Sequence, residues 1–140
     1  MAEFTNSAIV TVAPGQNVPL TDAIGNCNRS IMHRDGAGLV TLRGVTNQCK
    51  ARFKVTFGGN IAVPEGGTAE AITAALALNG EALAASTATV TPAAVENYFN
   101  IFASATVEVP CGCCVTVAMK NTSAQAINFA NSNLEVVRTA

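Results

Sequence analysis

Charge is what this sequence has least of. Only 12% of its 140 residues are Asp, Glu, Lys or Arg, where a typical soluble chain carries about a quarter. The formal net charge is −1. Nucleic-acid binding needs clustered Lys and Arg, so it is not expected, and no polybasic patch favours a membrane surface. Tryptophan is absent, and there is one His and one Tyr. A single His cannot supply a histidine-rich metal site. No apolar run approaches the eighteen or so residues of a membrane-spanning helix, so membrane insertion is not expected. The first residues, MAEFTNSAIVTV, lack the basic start and long apolar core of a secretory signal. The expectation is a protein made in a cytoplasm that stays there, is released by lysis or assembly, or leaves by an unusual route.

What the chain has instead is apolar content, 49% of it, much of it small Ala and Val. So few charges leave little to cover a monomer's surface, and part of that surface is expected to lie between subunits. At 140 residues, one domain spanning 1–140 has enough chain for its own core.

The residue pattern has period two almost throughout. Thr68 to Val90 holds two apolar runs that meet at Asn79-Gly80. This pair is favoured in two-residue hairpin turns, where both residues need positive φ. An Ala-rich helix is the rival reading, but Asn79-Gly80 would break it in the middle. Phe4 to Val12 reads as one strand and Thr21 to Ser30 as loop; Ile31 to His33 and Leu39 to Leu42 read as short strands. In Ala51 to Phe57, Ala51, Phe53, Val55 and Phe57 face one way, and Arg52, Lys54 and Thr56 the other. Gly58-Gly59-Asn60 is expected to bend the chain, and Pro64 to Gly67 to turn it. Pro92 to Tyr98 is expected to hold a helical turn with Thr91 as N-cap. Ile101 to Val109, a strand from Cys113 to Met119, Ala126 to Phe129 and Leu134 to Val137 complete the set. Short strands separated by turn signals, with no long helix, predict an all-β antiparallel two-sheet sandwich of about ten strands.

Five cysteines, Cys27, Cys49, Cys111, Cys113 and Cys114, are the sharpest chemical feature. Three readings stay open. Cys-Gly-Cys-Cys could ligate a metal, although no second ligand pair is present. Cys27 and Cys49, in loops flanking the 31–42 strand pair, are candidates for a disulfide, leaving Cys111, Cys113 and Cys114 as free or intersubunit thiols. Buried thiols acting as small hydrophobes are the third. His33, beside Arg34 and Asp35, lacks a visible orienting partner for nucleophilic work. The acidic residues are scattered singly, so no glycosidase pair appears. Gly58-Gly59 and Gly66-Gly67 precede no Gly-Lys-Ser/Thr, so they are not phosphate loops. No enzyme chemistry and no cofactor are expected.

Two stretches, KVTFGGNIAVPEGGTAEAITAALALNGEALAAS and VEVPCGCCVTVAMKNTSAQAINFANSNLEVV, carry a family likeness. Together they resemble the tumour-necrosis-factor/complement globular-head jelly roll. They are most similar to its bacterial and phage branch, which includes the C-terminal domains of collagen-like spore-surface glycoproteins. The traits are the LALNGE hairpin, the V-x-V-P-x-G-x-x-V-x-V stretch with Gly112 at its turn, the KNTS turn and the closing SNLEVV strand. The resemblance runs over roughly residues 4 to 138. It implies a jelly roll that assembles as a homotrimer and serves in trimerisation, decoration or recognition. No Gly-X-Y stalk precedes the domain here, so it is expected either to stand free or to attach to a larger assembly through its N-terminal strand.

The expected function is structural: a homotrimeric jelly-roll component of a virion or bacterial surface, with capsid, tail or surface-layer proteins as partners. The alternatives are a head recognising glycans or a receptor, and a disulfide-linked extracellular filament subunit. Ala74, Leu76, Leu78, Ile101, Ala103 and Val117 are the subunit-interface candidates, chosen because strands apolar on both faces cannot have a solvated side.

Overall fold

The computed structural model describes residues 2–24, 29–34 and 36–140. It holds twelve strands, every pair of them antiparallel, in two six-stranded sheets. The first sheet runs β10 (Phe99–Pro110), β6 (Lys50–Ala62), β12 (Ile127–Arg138), β1 (Ala2–Asn6), β3 (Asp22–Ile24), with β2 (Val10–Val12) also on β12. The second runs β4 (Ile31–His33), β5 (Val40–Arg43), β11 (Cys114–Asn121), β7 (Ile72–Leu78), β8 (Glu81–Ala82), with β9 (Ala88–Val90) also on β7. This is the expected two-sheet sandwich, with twelve strands in place of about ten.

The core between the sheets is chemically asymmetric. All four fully buried Phe side chains, Phe4, Phe53, Phe57 and Phe129, come from the first sheet. The second sheet answers with aliphatic residues, Ile31, Leu42, Ile72 and Leu76, and with Met119. The Phe57 and Phe129 rings meet edge to face, their centroids 6.3 Å apart, a favoured arrangement of the ring quadrupoles.

Asn79 and Gly80 both have positive φ, 52° and 83°, and join β7 to β8 as the hairpin reading requires. Beyond the turn the strand lasts only two residues before a 3₁₀ turn at Ala84–Ser86. There the Ser86 hydroxyl closes the edge of β7, accepting from Leu76 N–H at 3.0 Å.

Elsewhere the chain departs from the alternation reading. Gly58-Gly59-Asn60 does not bend. All three lie within β6, which pairs on both sides, so thirteen residues run on as one strand. The two closing strands expected at Ala126–Phe129 and Leu134–Val137 are one, β12 (Ile127–Arg138), carrying a bulge between Ala130 and Asn133. Conversely, Phe4 to Val12 is split into β1 and β2, with the Asn6 side chain accepting from Ala8 N–H at the break. Asp22–Ile24, expected to be loop, forms β3 on β1. The helical turn at 92–98 is absent: Glu96 has φ 58° and its N–H donates to Val63 O.

Candidate interaction surface

The side chains expected at subunit contacts are covered, wholly or in part, within the chain itself. Ala74, Leu76, Ile101, Ala103 and Val117 are all buried in the core cluster between the two sheets of one chain. Leu78 is partly buried against the same cluster. The five buried side chains already have partners within the chain, so they have no surface to offer a second subunit. Ala75 and Ala77, on the opposite face of β7, are also covered. Lys120 pairs with Ala75 and its Nζ donates to Gly80 O at 3.0 Å, which lays its stem along that face.

The exposed candidate lies on the edge strand β10. Its inward residues Ile101, Ala103, Val107 and Val109 are buried, while Phe102, pointing the other way, is 66% exposed. Phe102 heads a row that crosses four strands through Gly58, Asn133 and Thr5. The next rows read Ser104, Thr56, Glu135, Glu3 and then Thr106, Lys54, Val137. The row of Phe102 itself is uncharged; Glu135 and Glu3 stand in the next row and Lys54 in the one after it. Glu108 is the cross-strand partner of Arg52 and is ion-paired with Lys50. The Lys50 ammonium, hydrogen-bonded to it, holds the Glu108 carboxyl below its ordinary pKa, with Arg52 adding to the effect. Alternation alone had marked Ile101 and Ala103 as the apolar face and passed over Phe102. An aromatic at an outward position of a regular strand was the available signal.

The four described cysteines sit at one end of the sandwich. Cys49, Cys111, Cys113 and Cys114 are all exposed and unbridged, which corrects the reading of them as buried small hydrophobes. Cys27 lies outside the described residues, so the expected Cys27–Cys49 pairing does too. Gly112, with φ 81°, forms the turn between β10 and β11, closed by Cys113 N–H to Pro110 O at 3.0 Å. Against this turn packs Gly44, bonded through its N–H to Cys113 O and through its C=O to Gly112 N–H. Among the described residues, no group of three or more His, Cys, Asp or Glu side chains is placed to hold a metal ion.

His33 pairs with Val40 on β5, whereas Cys114 pairs with Arg43 at the other end of that strand. Its ring lies 4.6 Å from that of Phe4, and its Nε2 donates to Ala37 O at 2.9 Å. The β5 ladder therefore does not set His33 against Cys114, the described cysteine that pairs with that strand. A shallow groove of about 650 Å³ runs beside it, lined by Ile31, Met32, Arg34 and Leu39 among others.

No protein-family model matches the chain, and no curated protein matches it. Solved structures do. The Eiger TNF of S. frugiperda superposes with a TM-score of 0.72 at 12% identity, covering 100% of this chain and 92% of that one. The globular domain of the zebrafish complement 1qA protein superposes at 0.58 and 7% identity, covering 97% and 94%. At such identities the likeness establishes the fold: this chain is a jelly roll of the tumour-necrosis-factor/complement type. A family 35 carbohydrate-binding module from an environmental isolate reaches a TM-score of only 0.35, too low to support an argument about glycans.

Proposed function

We propose that this jelly roll is a non-enzymatic structural head that assembles as a homotrimer through the outer face of the β10–β6–β12–β1 sheet. The observation that carries the reading is Phe102. A large aromatic, two-thirds exposed on a regular edge strand, stands on the outer face beside Gly58, Asn133 and Ser104, with Glu3, Glu135 and Lys54 in the rows beyond. Burying such a side chain is worth about 1.5–3 kcal/mol. A closed ring of copies would bury one from every subunit at the same kind of contact. β10 also leaves one side of its backbone ladder unpaired in the sheet, an edge that a neighbouring subunit could cover. Low charge supports the same reading, because 12% charged residues is little with which to solvate an isolated chain.

The role is that of a surface or virion component, with capsid, tail or surface-layer proteins as its attachment. Support comes from the sequence likeness to the bacterial and phage branch of this fold.

The test replaces Phe102 with photoreactive benzoylphenylalanine in the full chain. On irradiation, the proposal predicts covalent products between copies of this chain, with cross-links on residues of the same sheet face. Irradiation that leaves only monomer on denaturing gels at micromolar concentration would contradict it.

A further inference from the structure

Two of the four described cysteines, both exposed, lie one residue beyond the paired ends of β6 and β10 and are joined there by a backbone hydrogen bond. The last register pair of β6 and β10 is Lys50 with Pro110. The next step sets Cys49 opposite Cys111, and Cys111 N–H donates to Cys49 O at 3.0 Å. Residues directly opposed in an antiparallel ladder carry their side chains on one face, with Cα atoms about 4.5–5.5 Å apart. A disulfide accepts Cα separations of about 4.4–6.8 Å, so a pair one step past the last rung of the ladder is within reach of a bond. Both side chains are exposed, so a soluble reagent can reach either. Cys113 and Cys114 lack this relationship: Cys114 is paired with Arg43, and Cys113 closes the turn through its backbone.

We infer that Cys49 and Cys111 form a reversible thiol–disulfide site whose oxidant is a low-molecular-weight disulfide, RSSR. One protein thiol loses its proton to solvent, and its thiolate attacks a sulfur of RSSR. The new S–S bond makes a mixed disulfide, and RS⁻ leaves and takes up a proton. The second protein thiol, deprotonated in turn, attacks the protein sulfur of that mixed disulfide and expels the second RS⁻. Two protein thiols and RSSR become one protein disulfide and two RSH, with two electrons passing to the reagent. The Cys111 Sγ–H donates to Thr46 O at 3.2 Å. A disulfide has no S–H, so oxidation removes this anchor of the 44–48 loop while tying the adjoining ends of β6 and β10 covalently.

The experiment treats full-length Cys113→Ser/Cys114→Ser protein with glutathione disulfide, then alkylates, digests and analyses it by mass spectrometry. Unsubstituted protein is run alongside. The expected result is the Cys49 peptide joined to the Cys111 peptide, with a melting temperature raised by roughly 5–10 °C and restored by dithiothreitol. In Cys49→Ser, Cys111 should instead accumulate the glutathione adduct, because the resolving thiol is gone. The inference is overturned if Cys49 is found joined to Cys27, or if Cys49 and Cys111 keep separate adducts. It is equally overturned if both remain open to alkylation after oxidation.

Discussion

Phe102 on β10 stands directly across the ladder from Gly58 on β6. The ring therefore has no cross-strand side chain beside it, and the pairing that normally shelters an aromatic on a sheet surface is missing. Gly58 has open space where a Cβ would be, so the vacancy belongs to the outer face and not to a crowded backbone. Filling it should change assembly and leave folding intact. Gly58→Val is expected to keep the chain folded, since φ at this position is not in the left-handed region and β-branched residues suit strands. It should weaken self-association at least tenfold by placing a side chain beside Phe102. Dilution series followed by light scattering would show it.

Gly44 is required for a different reason. A Cβ there would lie 2.1 Å from Pro110 O and 2.9 Å from Pro110 C. Both are backbone atoms of the β10–β11 connection and cannot swing aside as a side-chain tip does. Gly44→Ala is expected to destabilise the fold by about 1–3 kcal/mol. Urea unfolding should show a lower midpoint at unchanged slope.

Asn121 is a buried polar residue at the end of β11, and it is fully used. Its Nδ2 donates to Val12 O at 2.9 Å and to Gln125 O at 3.0 Å, while its Oδ1 accepts from Ser123 N–H at 2.9 Å. Asn121→Leu keeps the approximate volume but strands two carbonyls and one N–H. A loss of about 2–4 kcal/mol is expected, read as a drop in denaturant midpoint. Amide exchange should also quicken at Ser123.

The ion pair on β6 and β10 sets a pH dependence. The Glu108 carboxyl is held below its ordinary pKa, first by its hydrogen bond to Lys50. A depressed folded-state pKa means the contribution is present above the unfolded value and lost as pH falls through the lower folded value. The melting-temperature gap between the parent and Glu108→Gln should thus be widest near neutrality and close in acid. It should be small, because both side chains are nearly half exposed, and should vanish in high salt. Lys50→Gln should raise the Glu108 titration midpoint seen by NMR.

Sandwich class, the Asn79-Gly80 hairpin and most of the core were legible in the sequence because each rests on a local rule. Period-two alternation put Phe53, Val55 and Phe57 inward, and the Asn-Gly pair fixed its own turn. Non-local facts were hidden. Gly58 and Gly59 look like turn formers until a partner strand pairs on each side of β6 and holds them extended. Asp22–Ile24 has no pattern of its own and is a strand only because β1 offers it an edge. Ala74 and Ile101 read as subunit contacts in the sequence because small or apolar residues look alike whether they face a second sheet or a second chain. Phe102, the side chain that does face outward, was hidden by the apolar residues on either side of it.

Sedimentation equilibrium of the full chain beside Phe102→Ser, at micromolar concentration and in reductant, tests the trimer most directly. The expected result is a parent mass of three times 14.3 kDa and a variant that sediments as the monomer with its far-ultraviolet spectrum unchanged. A parent that sediments as a single chain, or a variant that associates as tightly as the parent, would contradict it.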